Sequence, residues 1–255
     1  MSLVCECVTL TVPGRVLCRE LTFTVAPGEV WAVLGANGSG KTTLLHAIAG
    51  LQPCTAGEVR WDGSPSGARP GRARARAIGL LMQHEDSAFW GSALEYVRLG
   101  RFPHMRSWFA WQRDDDERAA AALGAVGLAL LAGRSYGTLS GGERQRARIA
   151  QLIAQAPRLI LLDEPLQHLD LRHQALAVAL FRRLAREEAR AVVMVLHDAV
   201  WPGRACSHAL LIFEGGSTLA GAARDVLTRG NLERLYGCPL QEFAQDGDRY
   251  FVPHV

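Results

Sequence analysis

The chain has 255 residues, of which 49% are hydrophobic, and its 28 basic and 25 acidic side chains leave a formal net charge of +3. That length accommodates one large α/β domain or one domain with an inserted part, and the apolar content is enough for a sizeable core. The small charge neither demands nor excludes nucleic acid, the N-terminal residues lack the basic stretch and apolar run of a signal peptide, and no apolar run is long enough to cross a bilayer. The longest apolar stretch, Ala119–Ala132, is short and rich in Ala and Gly.

In chain order, Val4–Val12, Leu17–Val25 and Val30–Leu34 read as strands broken at Pro13-Gly14 and Pro27-Gly28, the first two forming a small antiparallel layer. The third runs into Gly35–Thr43, with the sequence GANGSGKTT, and Leu44–Ala49 then reads as a helix stopped at Gly50. Strand, Gly-rich loop and helix are the context that a phosphate-binding loop requires. Backbone N–H groups of a tight loop converge on phosphate oxygens, and the helix N-terminus adds its dipole. Gly35, Gly38 and Gly40 permit positive φ and close backbone approach. Lys41 supplies a mobile cation for the β- and γ-phosphates, and the Thr42 hydroxyl can ligate Mg²⁺. Gly35, Asn37, Gly38, Ser39, Gly40, Lys41, Thr42 and Thr43 are therefore the expected nucleotide-binding residues, for ATP or GTP.

Gly57–Gly63 reads as a short strand and turn, and Ser64–Arg76 as a solvated loop with a few arginines rather than a nucleic-acid or lipid patch. Ile78–Met82 is a buried strand that ends at Gln83. Residues 84–138 change character: Ser92–Leu99 looks helical, Trp108, Phe109 and Trp111 cluster, and Asp114–Glu117 opens an Ala/Leu-rich helix. The expectation is a helical subdomain at 84–138 inserted into a catalytic core of 1–83 and 139–255, with the aromatic cluster serving as its core or as a partner's docking surface. A long helix then runs from the LSGGE stretch at Leu139–Glu143 to about Gln155, with Pro157 ending it. Leu159–Leu162 is a strand tipped by Asp163 and Glu164, His173–Arg190 an amphipathic helix, and Val192–Leu196 a strand tipped by His197. Strands at Ala209–Phe213 and Tyr250–Val252 and a helix near Asp225–Leu235 complete the reading. The cysteines Cys5, Cys7, Cys18, Cys54, Cys206 and Cys238 are scattered, and Cys5 and Cys7 have no second pair at metal-ligand spacing, so reduced strand thiols are expected.

Polar groups thus fall at the ends of predicted strands, where ligands gather in open α/β sheets. Phosphoryl transfer to water needs positioning and charge stabilisation. Asp163 can hold Mg²⁺ directly or through water, and Glu164 can act as general base on the attacking water. Gln83 can ligate Mg²⁺ or sense the γ-phosphate, and His197 can donate a hydrogen bond to it.

These residues carry a resemblance. Leu139–Gln145 (LSGGERQ) resembles the signature motif of ATP-binding cassette (ABC) ATPases, Leu161–Pro165 (LLDEP) their Walker B, Gln167–Asp170 their D-loop, and Gln83 and His197 their Q-loop and switch histidine. The resemblance implies an α/β phosphate-loop NTPase fold with an antiparallel β layer and a helical subdomain, Mg²⁺-dependent ATP hydrolysis, and a head-to-tail homodimer. Each ATP would lie between one subunit's phosphate loop and Ser140, Gly141, Gly142 and Glu143 of the other, with Asp170 in the D-loop. A Ser hydroxyl and Gly amides at a helix N-terminus suit an anion. Two departures stand out: Val12 occupies the position where the family usually stacks an aromatic ring on adenine, and Gln151 stands where family members commonly carry Arg.

Val97–His104 (VRLGRFPH), Leu169–Gln174 (LDLRHQ) and Leu232–Pro239 (LERLYGCP), followed by Phe251-Val252-Pro253, resemble the ATPase subunits of importers for iron–siderophore complexes, haem and cobalamin. That branch implies polytopic permease subunits, an indirect substrate-binding protein, no nucleic acid, and a place on the cytoplasmic face of the inner membrane. The alternatives are another ABC importer or exporter, or a soluble ABC ATPase. Soluble members usually carry two cassettes or a long coiled coil, and this chain shows one cassette and no heptads. A non-hydrolysing regulator is disfavoured by the presence of Glu164.

Overall fold

The computed structural model describes residues 2–83, 89–105, 111–245 and 248–254. Strands β1 (Leu3–Val12) and β2 (Arg15–Val25) form a hairpin joined at Pro13-Gly14, and β1 also pairs antiparallel with β4 (Ala56–Trp61), which leads into the short β5 (Ser64–Pro65). This four-stranded layer, ordered β2-β1-β4-β5, is the antiparallel sheet expected from the alternating N-terminal sequence.

The second sheet holds the chemistry. Its order is β10-β9-β3-β8-β7-β6. Strands β3 (Val30–Gly35), β6 (Ile78–Leu81), β7 (Leu159–Asp163), β8 (Ala191–Val195) and β9 (His208–Ile212) are parallel, and β10 (Thr218–Ala222) closes one edge antiparallel. All residues of β3, β7 and β8 are buried, which explains why they read as continuous apolar runs without alternation.

Each face of this sheet has its own core. One is covered by α1 (Lys41–Ile48) and the antiparallel layer, through Trp31, Val33, Leu44, Ile48, Val193 and Val195. The other is covered by α6 (Leu171–Glu188), α7 (Val200–Ala205), α8 (Ala223–Val226) and α9 (Arg229–Tyr236), through Ala32, Leu162, Phe181, Leu184, Met194 and Leu232. The hairpin β11 (Leu240–Gln245) and β12 (Asp248–Pro253) follows α9 and packs on α7. The expected single helix near Asp225–Leu235 is divided, because Thr228 accepts a hydrogen bond from Asn231 N–H and caps a new helix.

A third apolar cluster is helical: α3 (Ala93–Arg98), α4 (Arg113–Ala125) and α5 (Gly141–Gln155) bury Ala93, Tyr96, Leu123, Ala147 and Ala150 together. Tyr96 and Tyr136 stack with centroids 4.0 Å apart, and Arg101 pairs with the buried Asp115 at 3.0 Å. Asp115 therefore holds two segments together besides sitting at a favourable helix end. Helix α5 belongs to two cores, since its Ile149 and Leu152 face the sheet. Of the aromatic cluster, Trp108 and Phe109 lie outside the described residues, and Trp111 packs on Phe102 beneath the Arg98 guanidinium.

Ser64–Arg76 is not a solvated loop. Gly71–Ala77 forms α2, and its arginines donate to backbone carbonyls: Arg74 to Gly50 at 3.0 Å, and Arg72 and Arg76 to Pro103 at 3.0 and 2.7 Å. No helix among the described residues is long and apolar enough to cross a membrane.

Candidate functional site

The parallel strands deliver their C-terminal ends to one cavity of about 590 Å³, lined by Val12, Arg15, Leu17, Asn37, Gly38, Gly40, Lys41, Thr42, Thr43, Gln83, Glu164, Gln167 and His197. Its floor is the loop between β3 and α1. Gly40 caps α1 in the left-handed region at φ 98° and Gly38 sits at φ 74°, conformations that turn successive N–H groups inward. No side chain caps α1, and its first N–H groups have no helical acceptor, so they remain available to an anion. Gly35 is required for a different reason than a positive φ. It is the last residue of β3, and a Cβ there would stand 2.4 Å from Ser39 Oγ and 2.9 Å from the Ile212 carbonyl. Gly35 and the buried Ser39 thus support the loop from beneath rather than line the cavity.

Lys41 Nζ donates to the carbonyls of Gly35 at 2.8 Å and Ala36 at 3.0 Å. Burial lowers its proton affinity, while Glu164 and Asp163 work in the opposite direction. The Thr42 hydroxyl donates to Asp163 Oδ2 at 2.6 Å. Asp163 is 2% exposed, and its Oδ1 has no hydrogen-bond partner among the described residues. Burial raises its pKa above the ordinary value, the Thr42 bond opposes that, and the neighbouring Glu164 charge adds to it. Such a group is destabilising in isolation, and it signals a site built for a ligand.

Glu164 lies in the left-handed region at φ 53°, a costly conformation for a non-glycine residue and one that turns its carboxylate to the cavity. Both oxygens are engaged: Oε2 accepts from Gln83 Nε2 at 2.9 Å, and Oε1 lies 2.5 Å from His197 Nε2. The expected residues from three different strand ends therefore meet on one carboxylate. The oxygens of Thr42, Asp163 and the Gln83 amide are hard donors of the kind Mg²⁺ takes. No cluster of three or more His, Cys, Asp or Glu is placed to hold a metal among the described residues, and Cys5 and Cys7 are free thiols, one buried and one exposed.

Ser140 to Glu143 lie outside this cavity. Ser140 caps α5: its hydroxyl accepts from Glu143 N–H at 3.2 Å, and Glu143 Oε2 accepts from Ser140 N–H at 2.7 Å. Gly142 packs against the His168 carbonyl, and a Cβ on Gly142 would come within 3.0 Å of it. Asp170 caps α6 by accepting from His173 N–H at 2.8 Å.

The sequence assigned no individual role to four side chains here, although Gln145 and Gln167 fall in the signature and D-loop stretches. Gln145 donates to the Pro165 carbonyl at 3.0 Å, and Arg148 donates to the Met82 and Gln83 carbonyls and to Gln145 Oε1. These residues, three apart on α5, tie the helix that starts at Ser140 to both Gln83 and the Glu164 turn. Their spacing was a visible signal. Arg15 and Gln167 also line the cavity; Gln167 opens the D-loop stretch, whereas nothing in the local sequence marks Arg15.

Comparison with known proteins agrees with this geometry. Residues 18–167 match the ABC transporter family. The ferric enterobactin transport ATP-binding protein FepC of Escherichia coli (strain K12) is 36% identical over 250 residues, covering 97% of this chain and 92% of that protein. The hemin import ATP-binding protein HmuV of Myxococcus xanthus (strain DK1622) is 41% identical over 235 residues, covering 89% and 86%. A solved structure described as a metal-chelate type ABC transporter in an inward-facing conformation superposes with a TM-score of 0.86 at 30% identity, covering 100% of this chain and 98% of that one. A dimeric post-hydrolysis structure of the ATP-binding cassette MJ0796 with ADP and Pi gives 0.78 at 27% identity, covering 87% and 99%. A family match over more than half of the chain, and relatives aligned along most of it, place the chain in the ABC transporter family as an ATP-binding, ATP-hydrolysing subunit.

Proposed function

We propose that this ATPase works as a homodimer on the cytoplasmic face of a bacterial inner membrane and drives import of a metal chelate, an iron–siderophore, haem or cobalamin, through polytopic permease subunits. The observation that carries the ATPase mechanism is the convergence of Thr42, Asp163, Gln83, Glu164 and His197 on one cavity. The cargo class is supported by relatives that are named for ferric enterobactin and hemin.

In this mechanism the loop amides and Lys41 bind the phosphates, and Lys41 exchanges its bonds to Gly35 and Ala36 for phosphate oxygens. Thr42, Asp163 and Gln83 would hold Mg²⁺; the unpartnered Asp163 Oδ1 is the observation that fits a cation there. When bound, Mg²⁺ offsets the charge on the β- and γ-phosphates. Glu164 takes the proton of the attacking water, and His197 donates a hydrogen bond to the γ-phosphate. Glu164 has Gln83 and His197 on its two oxygens, so these contacts are exchanged when Glu164 takes the water and His197 the γ-phosphate. Ser140, Gly141 and Gly142 of a second copy complete the site, with Glu143 and Asp170 holding the helix starts in shape.

The test is affinity purification of the tagged chain from its cell's membranes in mild detergent. A polytopic permease that stimulates hydrolysis on reconstitution supports the reading, and its binding protein can then be screened with metal chelates. Recovery with ribosomes or nucleic acid, or without any membrane protein, overturns the transport assignment and favours a soluble ABC ATPase.

A further inference from the structure

The cavity carries a second cation besides Lys41. Arg15 opens β2 directly after the Pro13-Gly14 turn and pairs across the hairpin with Val12. Arg15 and Leu17 alternate onto the same face of β2, and that face covers the phosphate loop. Leu17 packs so closely on Gly40 that a Cβ there would meet Leu17 Cβ at 2.7 Å, and Arg15 Nη1 lies 3.5 Å from the place of a Cβ on Gly38. Among the described residues no hydrogen bond, ion pair or ring contact holds this guanidinium, whereas most other arginines near a carboxylate or carbonyl are engaged. It is exposed and reaches the cavity from a hairpin tip.

We propose that Arg15 clamps the triphosphate of the bound nucleotide in cis, taking phosphate oxygens across the cavity from Lys41. This rests on the nucleotide-site reading above. A guanidinium presents paired N–H donors in a plane that matches two phosphate oxygens, which a single ammonium cannot do. Its placement over Gly38, one of the residues that shape the anion-binding loop, puts it beside the phosphates. The contact also supplies affinity from the hairpin in a chain where Val12 offers no aromatic face to a base.

The experiment uses the full chain and two probes, ATP and inorganic tripolyphosphate, with Arg15→Ala, Arg15→Lys and Lys41→Ala compared by equilibrium binding. Arg15→Ala is expected to weaken both probes by a similar factor, about tenfold for a charge-assisted pair. Arg15→Lys should recover part of the loss and reduce the salt dependence of binding less than Arg15→Ala does. A loss for ATP with tripolyphosphate unchanged would place Arg15 on the base or ribose and overturn the clamp. So would unchanged affinity for both probes while Lys41→Ala weakens both. Unchanged binding in Lys41→Ala itself would instead remove the nucleotide-site reading, so the two failures are separable.

Discussion

Replacing Glu164 by Gln tests the base assignment and its surroundings at once. The carboxylate accepts on both oxygens, from Gln83 Nε2 at 2.9 Å and at 2.5 Å from His197 Nε2. A Gln side chain has one carbonyl oxygen and so keeps one of these acceptor contacts. The lost charge-assisted bond costs about 1.5–3 kcal/mol. Against that, the substitution removes a charge whose repulsion helps to raise the Asp163 pKa, so the fold should lose little. ATP is a polyanion, and a site with one negative charge fewer should bind it as well as before or better. The chemical step loses its proton acceptor, worth a factor of about 10²–10⁴. Phosphate release at saturating ATP should therefore fall at least 100-fold, roughly 2.7 kcal/mol of barrier. Size-exclusion chromatography with ATP should show an accumulated dimer. Turnover within about tenfold of the unaltered protein would refute the base role.

Lys41→Ala is expected to weaken ATP binding, measured by titration calorimetry, because it removes the cation that now bridges two loop carbonyls. Ser140→Arg should leave ATP affinity of the monomer unchanged and abolish ATP-dependent dimerisation in analytical ultracentrifugation, since Ser140 lies outside its own chain's cavity. Asp163→Asn should abolish Mg²⁺-dependent turnover yet raise the nucleotide-free melting temperature by about 2 °C, as roughly 1 kcal/mol of buried-charge penalty is relieved. Asp163 has a raised pKa in the folded chain, so the folded state holds the proton more tightly and stability declines as pH rises from the ordinary Asp value through the folded one; denaturant melts across that range should show this slope shrinking in Asp163→Asn. Val12→Tyr should tighten ATP, and not tripolyphosphate, by about 1 kcal/mol through stacking.

Much of this was readable in the chain because burial is binary along a parallel sheet. Val30–Gly35, Leu159–Asp163 and Ala191–Val195 are buried at every position, so each shows as an apolar run that stops where a polar residue meets the cavity. The reverse holds for α2, where GRARARA has the period of a strand and the flanks of a loop. Its helix is held by carbonyl acceptors on Gly50 and Pro103, partners that local sequence does not reveal. Strand β10, with the sequence TLAGA, is only half-buried at an edge and lacks the β-branched run that would mark it. Arg15 was invisible for a similar reason: a lone arginine after a turn is ordinary, and only the fold sets it over Gly38.

In the proposed homodimer, the connections of α5 tie hydrolysis to the arrival of the second copy. One end of this helix presents Ser140 and two glycines, away from the chain's own cavity. Three and six residues inward from Gly142, Gln145 and Arg148 hold the Pro165 carbonyl and the backbone at Met82 and Gln83, the two segments that carry Glu164 and Gln83 into the cavity. An anion drawn to Ser140 from outside would therefore pull on a rigid helix fastened to the same residues that now hold Glu164 closed. Gln83 and His197 occupy the two oxygens of Glu164, and Ser140 to Glu143 lie outside the cavity of their own chain. In the proposed homodimer, release of the base and arrival of the second copy's Ser140 would be one event. Arg148→Ala should break that coupling, leaving ATP binding and dimerisation intact while turnover no longer rises with dimer formation; turnover that still tracked the dimer would show that Gln83 is positioned without α5.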